Sequence, residues 1–229
     1  MWNGNKKAVT FSFDDGVTQD IRLIEILDRY GLKATFNLNS SLLGLPGSLE
    51  RNGKWVSHDK VSPAAVRQIY AGHEVAVHTL THPNLTKLDE ETIIYQVERD
   101  RLALSDIVGY PVVGMAYPCG GVNNDDRVAA IIKAHTGVRY ARTITSTGTF
   151  CPQENLYRFN PSVYYIDECL EDTVEEFLAA KEGLLYIWGH SYEMDAEYIT
   201  WERFEDICRR LAGQADIFYG TNREVLLTE

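Results

Sequence analysis

The chain has 229 residues, the length of one large domain or two small ones, and its 45 % hydrophobic and 24 % charged residues are typical of a globular protein. This composition excludes a disordered tail, a collagen-like fibre and a coiled-coil rod, and no apolar run approaches the roughly 18–20 residues that cross a bilayer. With 22 basic and 33 acidic residues the formal net charge is −11, so we expect neither nucleic acid nor a membrane as a partner. The oligomeric state is left open.

The N-terminus and the cysteines bear on the cellular compartment. The first seven residues lack the apolar segment of a signal peptide, which favours a cytoplasmic protein, although a secreted chain whose signal had been removed would read the same way. The four cysteines, Cys119, Cys151, Cys169 and Cys208, form no Cys-x-x-Cys pair. We therefore predict free thiols in a reducing compartment, not a zinc ribbon or a disulfide scaffold.

Extended and helical patterns alternate from the start of the chain. A strand, a helix and a second strand are predicted at residues 8–13, 21–30 and 33–38. The helix is indicated by Ile21, Ile24 and Leu27, which recur at helical spacing. Residues 39–60 are irregular and contain several glycines, so they predict a long surface loop, and long loops in compact domains are often functional.

The same alternation continues to the C-terminus. Helices are predicted between the N-cap Ser62 and Gly72 and between Asp89 and Gly109. The remaining strands are predicted at 74–77, 112–117, 138–142, 163–166, 184–188 and 215–219, and the remaining helices at 125–134, 173–181 and 201–211. Seven or eight such units predict an α/β fold, a single (β/α) barrel over residues 1–229. An open doubly wound sheet is disfavoured because its glycine-rich nucleotide loop is missing.

Polar residues follow the ends of several predicted strands. In a barrel enzyme the reacting groups lie at the carboxyl ends of the strands. The first strand ends in Asp14-Asp15, the third ends in His78 with His82 four residues on, and a late strand ends at His190. Two histidines at this spacing suit a zinc-type ion, and one aspartate would complete a three-ligand site with open positions for water and substrate.

Each of these groups also has an ordinary structural interpretation. The Asp14-Asp15 pair could cap a helix, the two histidines of residues 78–82 could be unrelated, and His190 could be a core residue. Their convergence on one rim favours metal-assisted hydrolysis of an amide or ester, with Asp14 as general base and His190 as general acid. A backbone N–H of the 117–121 turn would stabilise the oxyanion. The other histidines are interpreted as structural or surface residues: His58, His73 and His135.

Three motifs, in this order, resemble those of the polysaccharide deacetylase family, the NodB-homology, metal-dependent carbohydrate esterases. They are T-F-S-F-D-D-G at 10–16, H-T-L-T-H at 78–82 and L-Y-I-W-G-H at 185–190. The resemblance implies a distorted (β/α)7-type barrel that binds a divalent metal, with Zn²⁺ expected. It implies the following roles: Asp14 as base, His190 as acid, and Asp15, His78 and His82 as metal ligands.

The resemblance also implies a set of substrate-binding residues. Leu185 would line the pocket for the acetyl methyl group, and the backbone N–H of Cys119 would serve the oxyanion. Tyr117 belongs to the same turn as Cys119, at the place of the family's third motif. Independently of the resemblance, aromatic stacking makes Trp188, Tyr192, Trp55 and the 39–60 loop candidates for the wall of a sugar cleft, although Trp and Tyr are also common core residues.

Two departures from the family pattern concern charged residues. The third motif usually carries an arginine a few residues before its proline and an aromatic residue after it, but Val112 to Ala116 precede Tyr117-Pro118 and Cys119 follows. The fourth motif, an Asp-Trp pair, is not recognisable between residues 140 and 170. In the family that arginine tunes the base and that aspartate tunes the acid. Arg142 and Arg158 are candidates for the replaced charge.

The leading hypothesis is a metal-dependent hydrolase that removes acetyl groups from an N- or O-acetylated carbohydrate. A related C–N hydrolase acting on a small amide, formamide or cyclic imide is the first alternative, and the missing arginine and aspartate favour it somewhat. A non-catalytic carbohydrate-binding module is the second. A purely structural role for the histidines would require the motif order to be coincidence.

Overall fold

A single sheet of eight parallel strands forms the centre of the molecule, as seen in a computed structural model that describes residues 2–227. The strands are β1 (Lys7–Asp14), β2 (Ala34–Leu38), β3 (Ser48–Arg51), β4 (Lys54–Ser57), β5 (Glu74–Val77), β6 (Gly114–Ala116), β7 (Tyr140–Arg142), β8 (Val163–Tyr164), β9 (Gly183–Gly189) and β10 (Ile217–Tyr219). The sheet order is β7-β6-β5-β2-β1-β9-β8, and β10 pairs with the first residues of β1. Strands β3 and β4 form a separate antiparallel hairpin.

Helices connect most of these strands and cover the outside of the sheet. They are α1 (Asp20–Arg29), α2 (Val66–Ile69), α3 (Glu90–Val108), α4 (Asp126–His135), α5 (Leu170–Ala179), α6 (Tyr192–Asp195), α7 (Trp201–Leu211) and α8 (Asn222–Leu226). No helix within residues 2–227 combines the length and the apolar character needed to cross a bilayer. The alternation of strand and helix confirms the predicted α/β class.

The sheet curls so that its two edge strands are linked through one short segment. The Phe159 N–H donates to Ala141 O of β7 at 2.9 Å, and the Thr143 N–H donates to Phe159 O at 2.8 Å. Three residues later the Ser162 N–H donates to Tyr186 O of β9 at 2.8 Å. These bonds complete a distorted barrel, as predicted.

The outer face of the sheet is apolar, and its inner face carries polar side chains toward the carboxyl ends of the strands. In β1 the side chains alternate, because successive residues of a strand point to opposite faces. Phe11 and Phe13 point outward and pack edge-on against Phe204 of α7. Ser12 and Asp14 point inward, where the side-chain amide of Asn37 donates to both. The main apolar core therefore lies between sheet and helices. A smaller apolar cluster that includes Ala8 and Leu184 fills the inner face toward the start of the strands, and charged groups occupy the interior near the strand ends.

Most predicted elements are confirmed with boundaries that differ by a few residues. Helix α3 begins after Asp89, whose carboxylate accepts from the Thr92 N–H, and ends at Gly109 in a left-handed conformation with φ 80°. The four cysteines are free, as predicted. The prediction of a loop throughout 39–60 is wrong, since the β3–β4 hairpin lies within it. Its strands are only four residues long, and just one of their eight side chains is buried, so their hydrophobic pattern is weak.

The close contact between Gly189 and Tyr165 yields a stability prediction. A Cβ atom on Gly189 would collide with the Tyr165 ring, which is buried and whose OH donates to His190 O. We expect Gly189→Ala to lower the free energy of unfolding by about 1–3 kcal/mol, the usual cost of overpacking a core. Urea denaturation measures it. Gly120→Ala is the control, because a Cβ atom there meets nothing within 4 Å; equal losses in both variants would contradict the prediction.

Candidate active site

The carboxyl ends of the strands surround a cavity of about 590 Å³, within the usual range for ligand pockets. Eight of the nine predicted site residues line it: Asp14, Asp15, His78, His82, Tyr117, Cys119, Trp188 and His190. The other lining residues include members of the 39–60 segment, Gly120 of the 117–121 turn and Tyr192, which the sequence had suggested, and three that it had not: Leu42, Leu49, Arg51, His58, Lys60, Gly120 and Tyr192, with Ile144, Tyr164 and Glu193.

The ninth residue, Leu185, does not line the cavity, and the prediction that it contacts the acetyl group is wrong. Leu185 is fully buried in the apolar core between sheet and helices, on the same face of β9 as Ile187. Trp188 is three positions further along β9 than Leu185, so its side chain points to the opposite face of the strand, where it lines the cavity. Of these two residues of β9, Trp188 is therefore the one that faces the cavity.

Several residues around the cavity hold unusual backbone conformations. Among residues 2–227, seven non-glycine residues have positive φ, and four of them belong to the motif segments: Asp15 (84°), Thr79 (68°), His82 (61°) and Cys119 (70°). Each such conformation costs on the order of 1–3 kcal/mol and persists only where the surrounding structure enforces it. The concentration of strain at this rim is typical of a functional site.

Asp15, His78 and His82 bring three donor atoms together. These atoms lie within 4.8 Å of one another, so one ion could contact all three after small side-chain adjustments. The ring of His78 bonds through Nδ1 to Ala116 O at 2.9 Å, and Nδ1 of His82 lies 3.8 Å from the Cys119 thiol. Both rings therefore have Nε2 free for a metal, with the outer nitrogen held by a second partner, as in most metal-binding histidines.

The electrostatics of the two histidines also fit a metal. Burial lowers the pKa of His78 to about 4 and, to a smaller extent, lowers the pKa of His82. Both rings are therefore neutral near pH 7, the form that binds metals. One carboxylate and two imidazoles form the donor set of a zinc-type catalytic site with open positions. The residues present thus fit the divalent metal that the sequence predicted.

Two further cavity residues hold Asp15. Nε2 of His58 lies 3.3 Å from the Asp15 carboxylate, and Nζ of Lys60 donates to the Asp15 carbonyl at 2.7 Å. Burial would raise the pKa of Asp15, but the His58 hydrogen bond and the Lys60 charge hold it well below its usual value. The interpretation of His58 as a structural or surface residue is therefore incomplete. The 39–60 segment gives no local signal that it folds back over β1.

Asp14 is held by a buried arginine. Nη2 of Arg142, at the end of β7, contacts both Asp14 oxygens and lies 2.5 Å from Oδ2, while the Asn37 amide donates to Oδ1 at 2.8 Å. Burial would raise the pKa of Asp14, but the charges of Arg142 and two histidines outweigh it and lower the pKa below its usual value. Arg158, the other candidate for the replaced charge, instead pairs with Asp126 outside the cavity.

His190 faces Asp14 across the cavity and is paired with Glu193. Nε2 of His190 lies 3.9 Å from Asp14 Oδ2, and Nδ1 lies 3.3 Å from Glu193 Oε1. The Tyr164 hydroxyl donates to the same Glu193 oxygen. Burial would lower the pKa of His190, but the Glu193 charge and hydrogen bond raise it to about 9. Glu193 was not among the predicted site residues, and the one sequence signal for it is weak: a carboxylate three residues after the candidate acid.

The arrangement can perform acid–base chemistry on a polarised carbonyl. At neutral pH the cavity holds an ionised carboxylate on Asp14 and a protonated imidazole on His190, on either side of a three-ligand donor set. Within residues 2–227 the backbone N–H of Cys119 has no acceptor, so it is free to bind an oxyanion. Trp188, stacked on Tyr164 at 4.2 Å, supplies an aromatic wall.

Comparisons with known proteins agree with the fold and the motifs. The family model described as polysaccharide deacetylase matches residues 2–140, more than half of the chain. A peptidoglycan N-acetylglucosamine deacetylase of Listeria monocytogenes is 30 % identical over 120 residues, which cover 51 % of this chain and 22 % of that protein. Chitin deacetylase 1 of Cryptococcus neoformans is 28 % identical over 129 residues, which cover 56 % and 24 %. The chain thus spans less than a quarter of each of these relatives.

Solved structures share the fold over nearly the whole chain. A family 4 carbohydrate esterase from Streptomyces lividans, in complex with acetate, has a TM-score of 0.59 at 17 % identity and covers 95 % of this chain and 93 % of its own. A family 4 pseudoenzyme from Bacillus anthracis has a TM-score of 0.58 at 19 % identity and covers 97 % and 66 %. At these identities the likeness supports the fold alone. Taken with the match to the family model, it shows that the chain belongs to the polysaccharide deacetylase family.

Proposed function

We propose that this chain is a Zn²⁺-dependent hydrolase that removes acetyl groups from an N- or O-acetylated carbohydrate. The observation that carries the proposal is that Asp14 and His190 line the same cavity as the Asp/His/His donor set. The names of the relatives, which are peptidoglycan and chitin deacetylases, support the same reaction class. The cavity volume of about 590 Å³ suits a saccharide.

In the proposed mechanism each charged residue moves or holds a proton. Zn²⁺ bound by Asp15, His78 and His82 would supply the Lewis acid that polarises the acetyl carbonyl. Asp14 accepts the proton of the attacking water as general base. The Cys119 N–H donates to the oxygen that becomes negative. His190 then gives its proton to the departing amine or alcohol, so the C–N or C–O bond breaks with a neutral leaving group.

The structure weakens the case for a small-amide hydrolase. That alternative was favoured by the missing arginine and aspartate of the third and fourth motifs. Both charges are present, since Arg142 contacts Asp14 and Glu193 contacts His190. The pKa values of Asp14 and His190 are therefore still shifted by a neighbouring charge, although the arginine of the third motif and the aspartate of the fourth are missing.

The second alternative is a carbohydrate-binding module without catalytic activity. A pseudoenzyme with the same fold in Bacillus anthracis makes this alternative worth considering. In this chain all five motif residues that would act in the reaction line one cavity: Asp14, Asp15, His78, His82 and His190. This favours turnover over binding alone. The cytoplasmic location stays a prediction.

Metal binding is the first test of the proposal. After loading with Zn²⁺ and dialysis, we expect about one ion per chain in the wild type. Asp15→Ala and His82→Ala should each weaken binding more than about 100-fold, because loss of an outer-shell partner alone costs 10–100-fold. Metal content by atomic spectroscopy measures it. His135→Ala, an exposed histidine paired with Glu90, is the control. Equal retention in all variants would place the ion elsewhere.

The role of Asp14 is tested by Asp14→Asn, which keeps the shape of the side chain and removes the base. We expect Zn²⁺ to remain bound and kcat on acetylated saccharides to fall by about 10²–10⁴-fold, the usual contribution of general base catalysis. Acetate release from N- and O-acetylated oligosaccharides measures it. Asp126→Asn, at an exposed aspartate, is the control. A fully active Asp14→Asn enzyme would show that another group is the base.

The pairing of His190 with Glu193 predicts a pH dependence. Because the pKa of His190 is raised to about 9, its protonated form persists from neutral pH up to that value, and kcat should fall as the pH rises through it. Glu193→Gln removes the raising charge, so the alkaline limb should move roughly one to two pH units lower, toward the ordinary value near 6.5. Glu197→Gln, an exposed position paired with Lys54, is the control. An unmoved limb would exclude His190 as the acid.

A further inference from the structure

The charges around the cavity leave one cation without a partner. Three carboxylates line the cavity, and each lies beside a cation. The pairs are Asp14 with Arg142, Asp15 with Lys60, and Glu193 with His190. Arg51 also lines the cavity, but among residues 2–227 its guanidinium forms no ion pair. Its hydrogen bond goes to the carbonyl of the neighbouring Glu50 at 3.0 Å, so its other donors are free for a ligand.

The β3–β4 hairpin holds Arg51 at the cavity. Alternate residues of a strand share a face, and Leu49 and Arg51 of β3 both line the cavity. The turn of the hairpin is bonded to the residues that follow α6. The side-chain amide of Asn52 donates to the Ala196 carbonyl at 3.0 Å, and the Asn52 N–H donates to the Tyr198 hydroxyl oxygen at 3.2 Å. These bonds fix the place from which the arginine reaches the cavity.

Tyr192 supplies a second donor in the same cavity. Its side chain lines the cavity and is only 3 % exposed, and its ring is held between His58 and His190, each with a ring centroid 5.1 Å away. In the described part of the chain its hydroxyl has no hydrogen-bond partner, yet it is not sealed from solvent. Burial and nearby carboxylates raise the pKa of Tyr192, while the charge of Arg51 acts against them. The hydroxyl therefore keeps its proton and can donate it to a hydrogen bond.

We propose that Arg51 and Tyr192 form a subsite for a carboxylate carried by the acetylated saccharide. The proposal rests on the proposed function and narrows its substrate class to acidic saccharides. The planar fork of a guanidinium matches the two oxygens of a carboxylate, and the hydroxyl adds a further donor. One unpaired positive charge balances one negative charge, which a carboxylate carries and a phosphate monoester exceeds. A local cation is also needed because the formal net charge of −11 repels an anionic substrate.

The subsite is tested with two acetylated oligosaccharides, each compared with its own neutral carboxamide. One carries its carboxylate on the sugar ring, as a uronic acid, and the other carries it on an ether side chain. For the wild type we expect kcat/KM to be about tenfold higher on at least one acid than on its amide, through a lower KM, as for one hydrogen bond to a charged group. Arg51→Ala should remove this preference and leave kcat/KM on the amide within about twofold. Arg51→Glu should invert the preference, and Tyr192→Phe should remove part of it.

Lys54→Ala is the matched control. Lys54 lies opposite Arg51 in the register of the same hairpin, but it pairs with Glu197 and does not line the cavity. The preference should therefore survive in this variant. The proposal is overturned if the wild type prefers neither acid, if the preference persists in Arg51→Ala, or if Lys54→Ala loses it equally.

Binding separates a failure of the subsite from a failure of the proposed function. Calorimetry with Zn²⁺-loaded Asp14→Asn protein compares each acid with its amide, before and after Arg51→Ala is added. A preference that disappears with Arg51→Ala supports the subsite even if the wild type releases no acetate, a result that would refute only the proposed function. Equal binding of acid and amide rejects the subsite, whatever the activity.

Discussion

The buried ion pair between Asp14 and Arg142 is the constraint on which the site depends. It joins β1, at the centre of the sheet, to β7, at one edge, across the barrel interior. A buried ion pair adds little to stability compared with apolar packing, so its presence is better explained by what it does to Asp14. It holds the pKa of Asp14 below its ordinary value in a place where burial alone would raise it.

The strained rim is supported from behind by side chains that take no part in the chemistry. The buried carboxylate of Asp100, on α3, accepts from the backbone N–H groups of His78 and Ser40. The amide of Asn39 donates to the carbonyls of His78 and Thr79. These bonds hold the 78–82 segment against its own conformational preference. The strain is thus offset by hydrogen bonds from two neighbouring elements, which keeps both histidines in reach of Asp15.

The features that could be predicted from the sequence are those that depend on interactions between residues close together in the chain. Strands and helices followed from periodicity and capping, and the motif residues could be placed because each follows a strand end. Arg142 could be named only as a candidate, because its role depends on the register between β6 and β7, a long-range property. Leu185 was misplaced because a shift of one residue along a strand reverses the face. Glu193 was missed because the short helix α6 that carries it has no strong sequence pattern.

His78 and His190, which both lie near Asp14, show how the surroundings change the protonation of one residue type. His78 is buried, no carboxylate of residues 2–227 is paired to its ring closer than 3.9 Å, and its pKa falls to about 4, so the ring is neutral near pH 7. His190 is also buried, but Glu193 lies 3.3 Å from its ring and its pKa rises to about 9, which leaves a proton to donate. Burial acts in the same direction on both rings, so the nearby carboxylate decides which ring is protonated near neutral pH. The proposed roles of His78 as ligand and His190 as acid therefore depend on a residue that takes neither role, Glu193.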